Sequence, residues 1–198
     1  MVKEYNEITV RVMEPYGSLA PRLTALGYTQ VRSARLLDRY YLPEHYDTAL
    51  PTQDVLNQAV LIREIGSPAG TRVKLSRKYK EVAANGDILR QSNIDVEVGK
   101  VSGDDAARIE SAAAFLEAIG YRWVFDIEDD LTVYEKDGLG ICVQQVSGGR
   151  YLFIEIEEND RYQGIPLLIR KLDETGIAYD RSSYFCKKAQ IIYDEKYR

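Results

Sequence analysis

The feature that most constrains this chain is a set of segments in which apolar and ionic residues alternate one by one. In Glu7-Ile8-Thr9-Val10-Arg11-Val12, Ile8, Val10 and Val12 share one side while Glu7, Thr9 and Arg11 share the other. Successive side chains of a strand point to opposite faces, so this period of two predicts a strand with one apolar and one ionic face. The pattern returns further along. Arg72, Lys74, Ser76 and Lys78 stand opposite Val73 and Leu75; Asp95 and Glu97 stand opposite Ile94, Val96 and Val98; Glu155 and Glu157 stand opposite Leu152, Ile154 and Ile156. Two arrangements satisfy it. In one, an antiparallel sheet packs one face under helices and leaves the other in water. In the other, the sheet curls until its ionic faces line a wet interior, where both charge signs would serve an anion together with a metal cation.

Charge is distributed unevenly behind a modest total. The chain of 198 residues carries 26 Lys and Arg against 31 Asp and Glu, a net charge of −5 that argues against a general binder of nucleic acid or anionic membrane. Yet Leu61 to Lys80 holds Arg63, Arg72, Lys74, Arg77, Lys78 and Lys80 against Glu64 alone, a local balance of +5. From Asp126 to Asp160, ten acidic residues face only Lys136 and Arg150, a balance of −8.

Other chemistries are excluded by count. Cys142 and Cys186 are too few for a disulfide framework or a structural zinc site. His45, the single histidine, lies in Leu42-Pro43-Glu44-His45-Tyr46, a Pro-flanked stretch that reads as a surface loop, not as the base of a catalytic dyad. No apolar run reaches the roughly 18 residues that span a bilayer, and the opening residues lack a secretory core, so a cytoplasmic location is expected. Gly138-Leu139-Gly140 and Gly148-Gly149 read as turns, with no helix pattern behind them to make a phosphate loop. Asp126-Ile127-Glu128-Asp129-Asp130 reads as a solvated acidic turn, since it lacks the ligand spacing of a calcium loop.

Helices are expected over about Ser18 to Leu26, Ala106 to Ile119 with cap candidates in Ser102-Gly103-Asp104, and Ile165 to Thr175, each followed by a glycine; a short one is expected within Arg181 to Gln190, before a polar tail. Leu23-Thr24-Ala25-Leu26-Gly27-Tyr28 recurs as Leu116-Glu117-Ala118-Ile119-Gly120-Tyr121, and more faintly from Leu172 to Ile177. The repeat predicts two related halves in one domain spanning 1–198.

This order of parts, together with Asp38-Arg39-Tyr40-Tyr41, Ala59-Val60-Leu61-Ile62-Arg63-Glu64 and Phe153-Ile154-Glu155-Ile156-Glu157, resembles the CYTH superfamily of class IV adenylyl cyclases and thiamine triphosphatases over about residues 5–188. The ending, Gly176 to Phe185 with its Ser183-Tyr184 pair, is most similar to the cyclase branch. The resemblance implies an α+β fold in which an antiparallel eight-stranded closed barrel, or tunnel, carries its helices outside. It implies a triphosphate ligand such as ATP, tripolyphosphate or thiamine triphosphate, cleaved with Mg²⁺ or Mn²⁺, and a cytoplasmic enzyme, with a homodimer the default for its size. Glu7, Glu155 and Glu157 would hold the metal. Arg11, Arg63 and Lys78 would neutralise phosphate charge during the reaction, with Lys74, Arg72 and Arg90 as further ligand-holding residues. Hard cations suit carboxylate oxygens and phosphates suit Arg and Lys, so the implied set is chemically coherent.

The family motifs are also incomplete. Its opening Glu-x-Glu-x-Lys falls on Glu7, Thr9 and Arg11; its Arg-x-Arg falls on Leu61 and Arg63; and its Lys-x-Arg after the second helix falls on Asp129 and Leu131. A family Asp falls on Gln144 or Gln145, and an Arg on Asn93. A module that binds a nucleotide or other phosphorylated ligand without turnover is therefore the alternative expectation.

Overall fold

The computed structural model describes residues 2–4, 6–68, 70–82, 88–98 and 105–198. In chain order the elements are β1 (Val2–Glu4), β2 (Glu7–Arg11), α1 (Tyr16–Ala25), β3 (Thr29–Pro43), α2 (Thr52–Leu56), β4 (Val60–Ser67), β5 (Gly70–Val82), β6 (Ile88–Glu97), α3 (Asp105–Ala118), β7 (Tyr121–Lys136), β8 (Leu139–Val146), β9 (Tyr151–Glu157), α4 (Ile165–Asp173) and α5 (Lys188–Tyr197). The class is the α+β one expected, with eight principal strands and the three-residue β1 added at an edge. Contacts divide the chain into two compact units. One takes in Met1–Glu4, Arg35–Glu128 and Lys188–Arg198; the other takes in Tyr5–Ala34 and Asp129–Lys187. The long strands β3 and β7 contribute to both.

In the second unit the strand order is β3-β7-β8-β9-β2, and the β7–β8, β8–β9 and β9–β2 pairings are antiparallel. Alternation decides which face is covered. Ile8, Val10 and Val12 of β2, Leu139, Ile141 and Val143 of β8, and Ile154 and Ile156 of β9 form one buried cluster with Leu19 and Leu23 of α1 and Leu168 and Leu172 of α4. Burying each such side chain stabilises the fold by about 1.5–3 kcal/mol relative to exposure. Pro166 sits in the first turn of α4, where its missing N–H costs no helical bond. The opposite face of these strands carries Glu7, Thr9, Arg11, Glu155 and Glu157.

In the first unit the order is β1-β6-β5-β4-β3, continued by the start of β7. Here α3 covers the sheet through Ala112 and Leu116, which pack on Tyr41, Ile62 and Val73. Tyr40 stacks on Phe125 at 4.5 Å, and Phe125 meets the edge of Tyr193 from α5 at 5.9 Å.

The expected helices α1, α3 and α4 form within three residues of their predicted ends, though the cap candidates Ser102-Gly103-Asp104 lie outside the described residues. The repeat is physical at its glycines. Gly27, Gly120 and Gly176 all adopt left-handed backbone, at φ of 86°, 85° and 63°, as residues just past the helix ends of α1, α3 and α4. A side chain is strained in that conformation, which explains glycine at each.

Two expectations are corrected. The C-terminal helix is Lys188–Tyr197, not within Arg181 to Gln190. The preceding residues serve β2 instead: Thr9 N–H donates to the Tyr184 carbonyl at 2.9 Å, and Cys186 N–H donates to the Thr9 carbonyl at 2.8 Å. The predicted polar tail is helical because Tyr193 is buried and Thr52 donates to the Asp194 carboxylate. Asp126 to Asp130 is no turn but the middle of β7, where Phe125, Ile127, Asp129 and Leu131 alternate buried against exposed Asp126, Glu128 and Asp130. His45 does lie exposed in a turn, and no helix is long and apolar enough to cross a membrane among the described residues.

This packing predicts that Leu168→Ala lowers unfolding free energy by about 2–5 kcal/mol, through lost burial and a residual cavity. Arg170→Ala, on the exposed side of the same helix, changes it by less than about 0.5 kcal/mol. Urea unfolding of both variants checks this; equal effects would contradict the assigned core face.

Candidate functional site

The second unit assembles the three glutamates on one sheet face. The β2–β9 register places Glu7 opposite Glu157 and Thr9 opposite Glu155. Glu157 and Glu155 are two positions apart on one strand, so all three carboxylates leave the sheet on the same side. One oxygen from each lies within 4.8 Å of the others, with Glu7 buried and the other two half-buried. A six-coordinate Mg²⁺ ion with oxygens at about 2.1 Å holds neighbouring ligands about 3 Å apart and opposed ones about 4 Å apart. The trio is therefore close enough for its carboxylates to share one divalent cation. Thr9, where a glutamate would stand in the family pattern, is also buried on this face.

Arg11 follows on the same strand face, exposed, with its guanidinium 5.5 Å from the centre of the buried Tyr151 ring. Asp129 and Gln144, which stand where family charges were expected, are each only 3% exposed. Neither is a surface substitution. Asp129 puts a carboxylate among the apolar residues of β7, and Leu131 lies opposite Gln144 on β8.

The first unit assembles the basic residues. Cross-strand pairing produces one row of Asp38, Arg63, Lys74 and Glu97, and a second of Tyr40, Leu61, Ser76 and Asp95. Lys78, opposite Asn93, follows on the same face. Arg63 is held bidentately by Asp38: its Nε donates to Oδ1 at 2.6 Å and a terminal nitrogen donates to Oδ2. Burial alone would push the Asp38 carboxyl up, but the adjacent guanidinium outweighs it and holds it below the usual carboxylate range. Asp95 behaves alike: burial raises it, and the Ser76 hydroxyl with Lys74 brings it down. Ser76 donates to Asp95 at 2.6 Å, and Lys74 Nζ lies 3.4 Å from Asp95 and 3.7 Å from Glu97. Arg72 is an exposed partner of Glu97 at 3.8 Å. Arg90 is on β6, but its side chain lies outside the described residues.

Lys78 differs from its neighbours. Repulsion from Arg63, then burial, pushes its ammonium down to about 8, against the partial relief of Asp38; Lys188 and Lys80 add to the repulsion. A cation crowded by cations in a half-buried place is the arrangement that an incoming anion relieves.

The structure therefore brings Glu7, Glu155, Glu157 and Arg11 onto one face of the second unit, and Arg63, Lys74 and Lys78 onto one face of the first. The sequence reading missed Asp38 as the partner of Arg63, and Lys188 as a neighbour of Lys78. The position of Asp129 was detectable, because it shares parity with Phe125, Ile127 and Leu131.

The two displaced ionisations set opposite pH limits. Asp38 contributes stability that is present above the unfolded carboxylate value of about 3.9 and is lost as pH falls through its lower folded value. Lys78 gives up its proton in the folded chain near pH 8 while the unfolded chain keeps it to about 10.4, so stability rises with pH across that window. Urea midpoints against pH are expected to show a shallower acid-side fall in Asp38→Asn, the remainder coming from Asp95 and the other lowered carboxyls, and to lose the alkaline rise in Lys78→Met. Unchanged profiles would contradict these assignments.

No family model matches the chain, and neither does any curated protein. Solved structures do match over nearly its whole length. A protein of Pyrococcus horikoshii OT3 superposes with a TM-score of 0.65 at 19% identity, covering 98% of this chain and 99% of that one. A candidate adenylyl cyclase of Hippeastrum, described as having a dominant triphosphatase activity, gives 0.63 at 16% identity, covering 98% and 96%. A candidate adenylate cyclase of Vibrio parahaemolyticus gives 0.54 at 17% identity, covering 91% and 94%. The chain thus shares the fold of these proteins, in agreement with the expected α+β architecture.

Proposed function

We propose that this chain binds a triphosphate together with Mg²⁺ or Mn²⁺ and cleaves a phosphoric anhydride bond, by ATP cyclisation or by hydrolysis of tripolyphosphate or an organic triphosphate. The observation that carries this reading is the convergence of Glu7, Glu155 and Glu157 within 4.8 Å. These carboxylates would hold the cation, which when bound offsets phosphate charge and orients the reacting phosphoryl group. Arg11 follows the trio along β2 and would take a phosphate oxygen. Lys78, with its ammonium already depressed by neighbouring cations, gains from any anion that approaches it. Arg63 acts by positioning: its guanidinium is committed to Asp38 and keeps positive potential beside Lys78. The fold shared with cyclase-like and triphosphatase-like proteins supports the same ligand class.

Binding without turnover is the second reading, favoured by one observation. Arg63 is paired with Asp38 and Lys74 with Asp95 and Glu97, and the exposed Arg72 lies 3.8 Å from Glu97. Charge spent in this way is not available to a transition state, where each charge-assisted contact contributes about 1.5–3 kcal/mol.

A thermal-shift screen of the full chain with ATP, tripolyphosphate and thiamine triphosphate, with and without Mg²⁺ or Mn²⁺, tests both readings when followed by product analysis. The expected result is metal-dependent stabilisation with release of cyclic AMP, pyrophosphate or phosphate, and a loss of at least about 100-fold in turnover in Glu155→Gln. Stabilisation without product would replace the enzyme by the binder. No response to any triphosphate would contradict both.

A further inference from the structure

We propose that Cys142 supplies a thiolate arm to the carboxylate site, so that the chain prefers thiophilic divalent cations to Mg²⁺. This rests on the metal reading of Glu7, Glu155 and Glu157 and deepens it by naming which class of ion that site takes. The β8–β9 register pairs Cys142 directly with Glu155. Directly opposed residues of neighbouring antiparallel strands emerge on the same face with Cβ atoms about 4.5–5.5 Å apart. Glu155 is thus flanked by Thr9 on one side and Cys142 on the other. The thiol is half-buried and in no disulfide.

A second observation comes from Gln144. It is 3% exposed and lies on the same face as Cys142, two positions along β8. Its Nε2 donates to Cys142 Sγ at 3.7 Å, while its Oε1 is buried and has no hydrogen-bond partner. Leaving a buried acceptor unsatisfied costs about 1–3 kcal/mol. It is the nitrogen end of that amide that faces the sulfur; a half-turn of the amide would exchange it for Oε1, a competent metal ligand, and a cation held at Cys142 would then satisfy the buried oxygen.

The donor set then reads as glutamate oxygens, one amide oxygen and one sulfur. Cys142 Sγ stands beside the carboxylate trio, not within it. Rotation about its χ1, between staggered positions and with the backbone fixed, moves the sulfur relative to Glu155. On binding, the thiol gives its proton to solvent and a metal–sulfur bond forms; no electron is transferred. Thiolate favours Co²⁺, Zn²⁺ and Cd²⁺ strongly over Mg²⁺, which takes oxygen ligands. This differs from a structural zinc site, which needs several thiols or histidines.

Co²⁺ is the probe of choice, titrated into the full chain in the presence of a phosphine reductant. The expected result is a near-ultraviolet thiolate-to-cobalt charge-transfer band that is lost in Cys142→Ser and Cys142→Ala and kept in Cys186→Ser. Co²⁺ affinity should fall on the order of tenfold to a hundredfold in Cys142→Ser, while Mg²⁺ stabilisation in thermal shift, the control for folding, stays within about twofold. Co²⁺ binding that is abolished by Glu155→Gln but shows no such band would overturn the role of Cys142 and leave the carboxylate site standing. A band that survives Cys142→Ser, or disappears in Cys186→Ser, would also overturn it. Absence of any Co²⁺ binding would overturn both this inference and the metal reading beneath it.

Discussion

The register of β2 against β9 is the constraint on which the site depends. It puts three carboxylates within 4.8 Å of one another, a separation at which each pair of charges repels by about 1 kcal/mol in water and about 3 kcal/mol at an effective dielectric of 20. Backbone pairing holds them there. β2 bonds to β9 along one edge, and its other edge is taken up by the 184–186 segment through Thr9. A one-residue slip would turn Ile8 and Val10 away from α1 and α4 and turn the glutamates into that core. The apolar face of β2 thus fixes the position of its ionic face, and folding energy is what keeps the acids together.

The basic residues of the first unit follow a different logic. Three of the six between Leu61 and Lys80 pair with acids of adjacent strands: Arg63 with Asp38, Arg72 with Glu97, and Lys74 with Asp95 and Glu97. Such pairs orient side chains and hold a sheet face in place, but they reduce the positive charge offered to a ligand. Lys78 is instead more crowded by cations than relieved by an acid. The +5 run between Leu61 and Lys80 is therefore not a uniform basic lining: Arg63, Arg72 and Lys74 are paired with acids, and Lys78 is crowded by cations.

Much of this was legible in the sequence, and what was not has identifiable physical causes. The strand faces could be read because a period of two survives any error in where the strands lie; parity puts Glu155 and Glu157 on one face of β9, while their meeting with Glu7 depends on the β2–β9 register. Helices α1, α3 and α4 were visible from their closing glycines. Partner choice was not visible. That Asp38 rather than a ligand would meet Arg63 depends on which residue of β3 stands opposite β4, and alternation alone does not give register. Asp126 to Asp130 misled because clustered acids suggest solvent, although β7 buries alternate members of the run. Arg181 to Gln190 misled because the backbone at 184–186 pairs with the outer edge of β2, so the helix begins only at Lys188.

The carboxylates of β2 and β9 are proposed to build one cation site. Mn²⁺ titration of the full chain followed by electron paramagnetic resonance tests it most directly, since free and bound ion are counted separately. One tight site per chain is expected, lost in Glu157→Gln and in Glu7→Gln while unfolding midpoints are maintained. Mn²⁺ binding that is unchanged in both variants would contradict it.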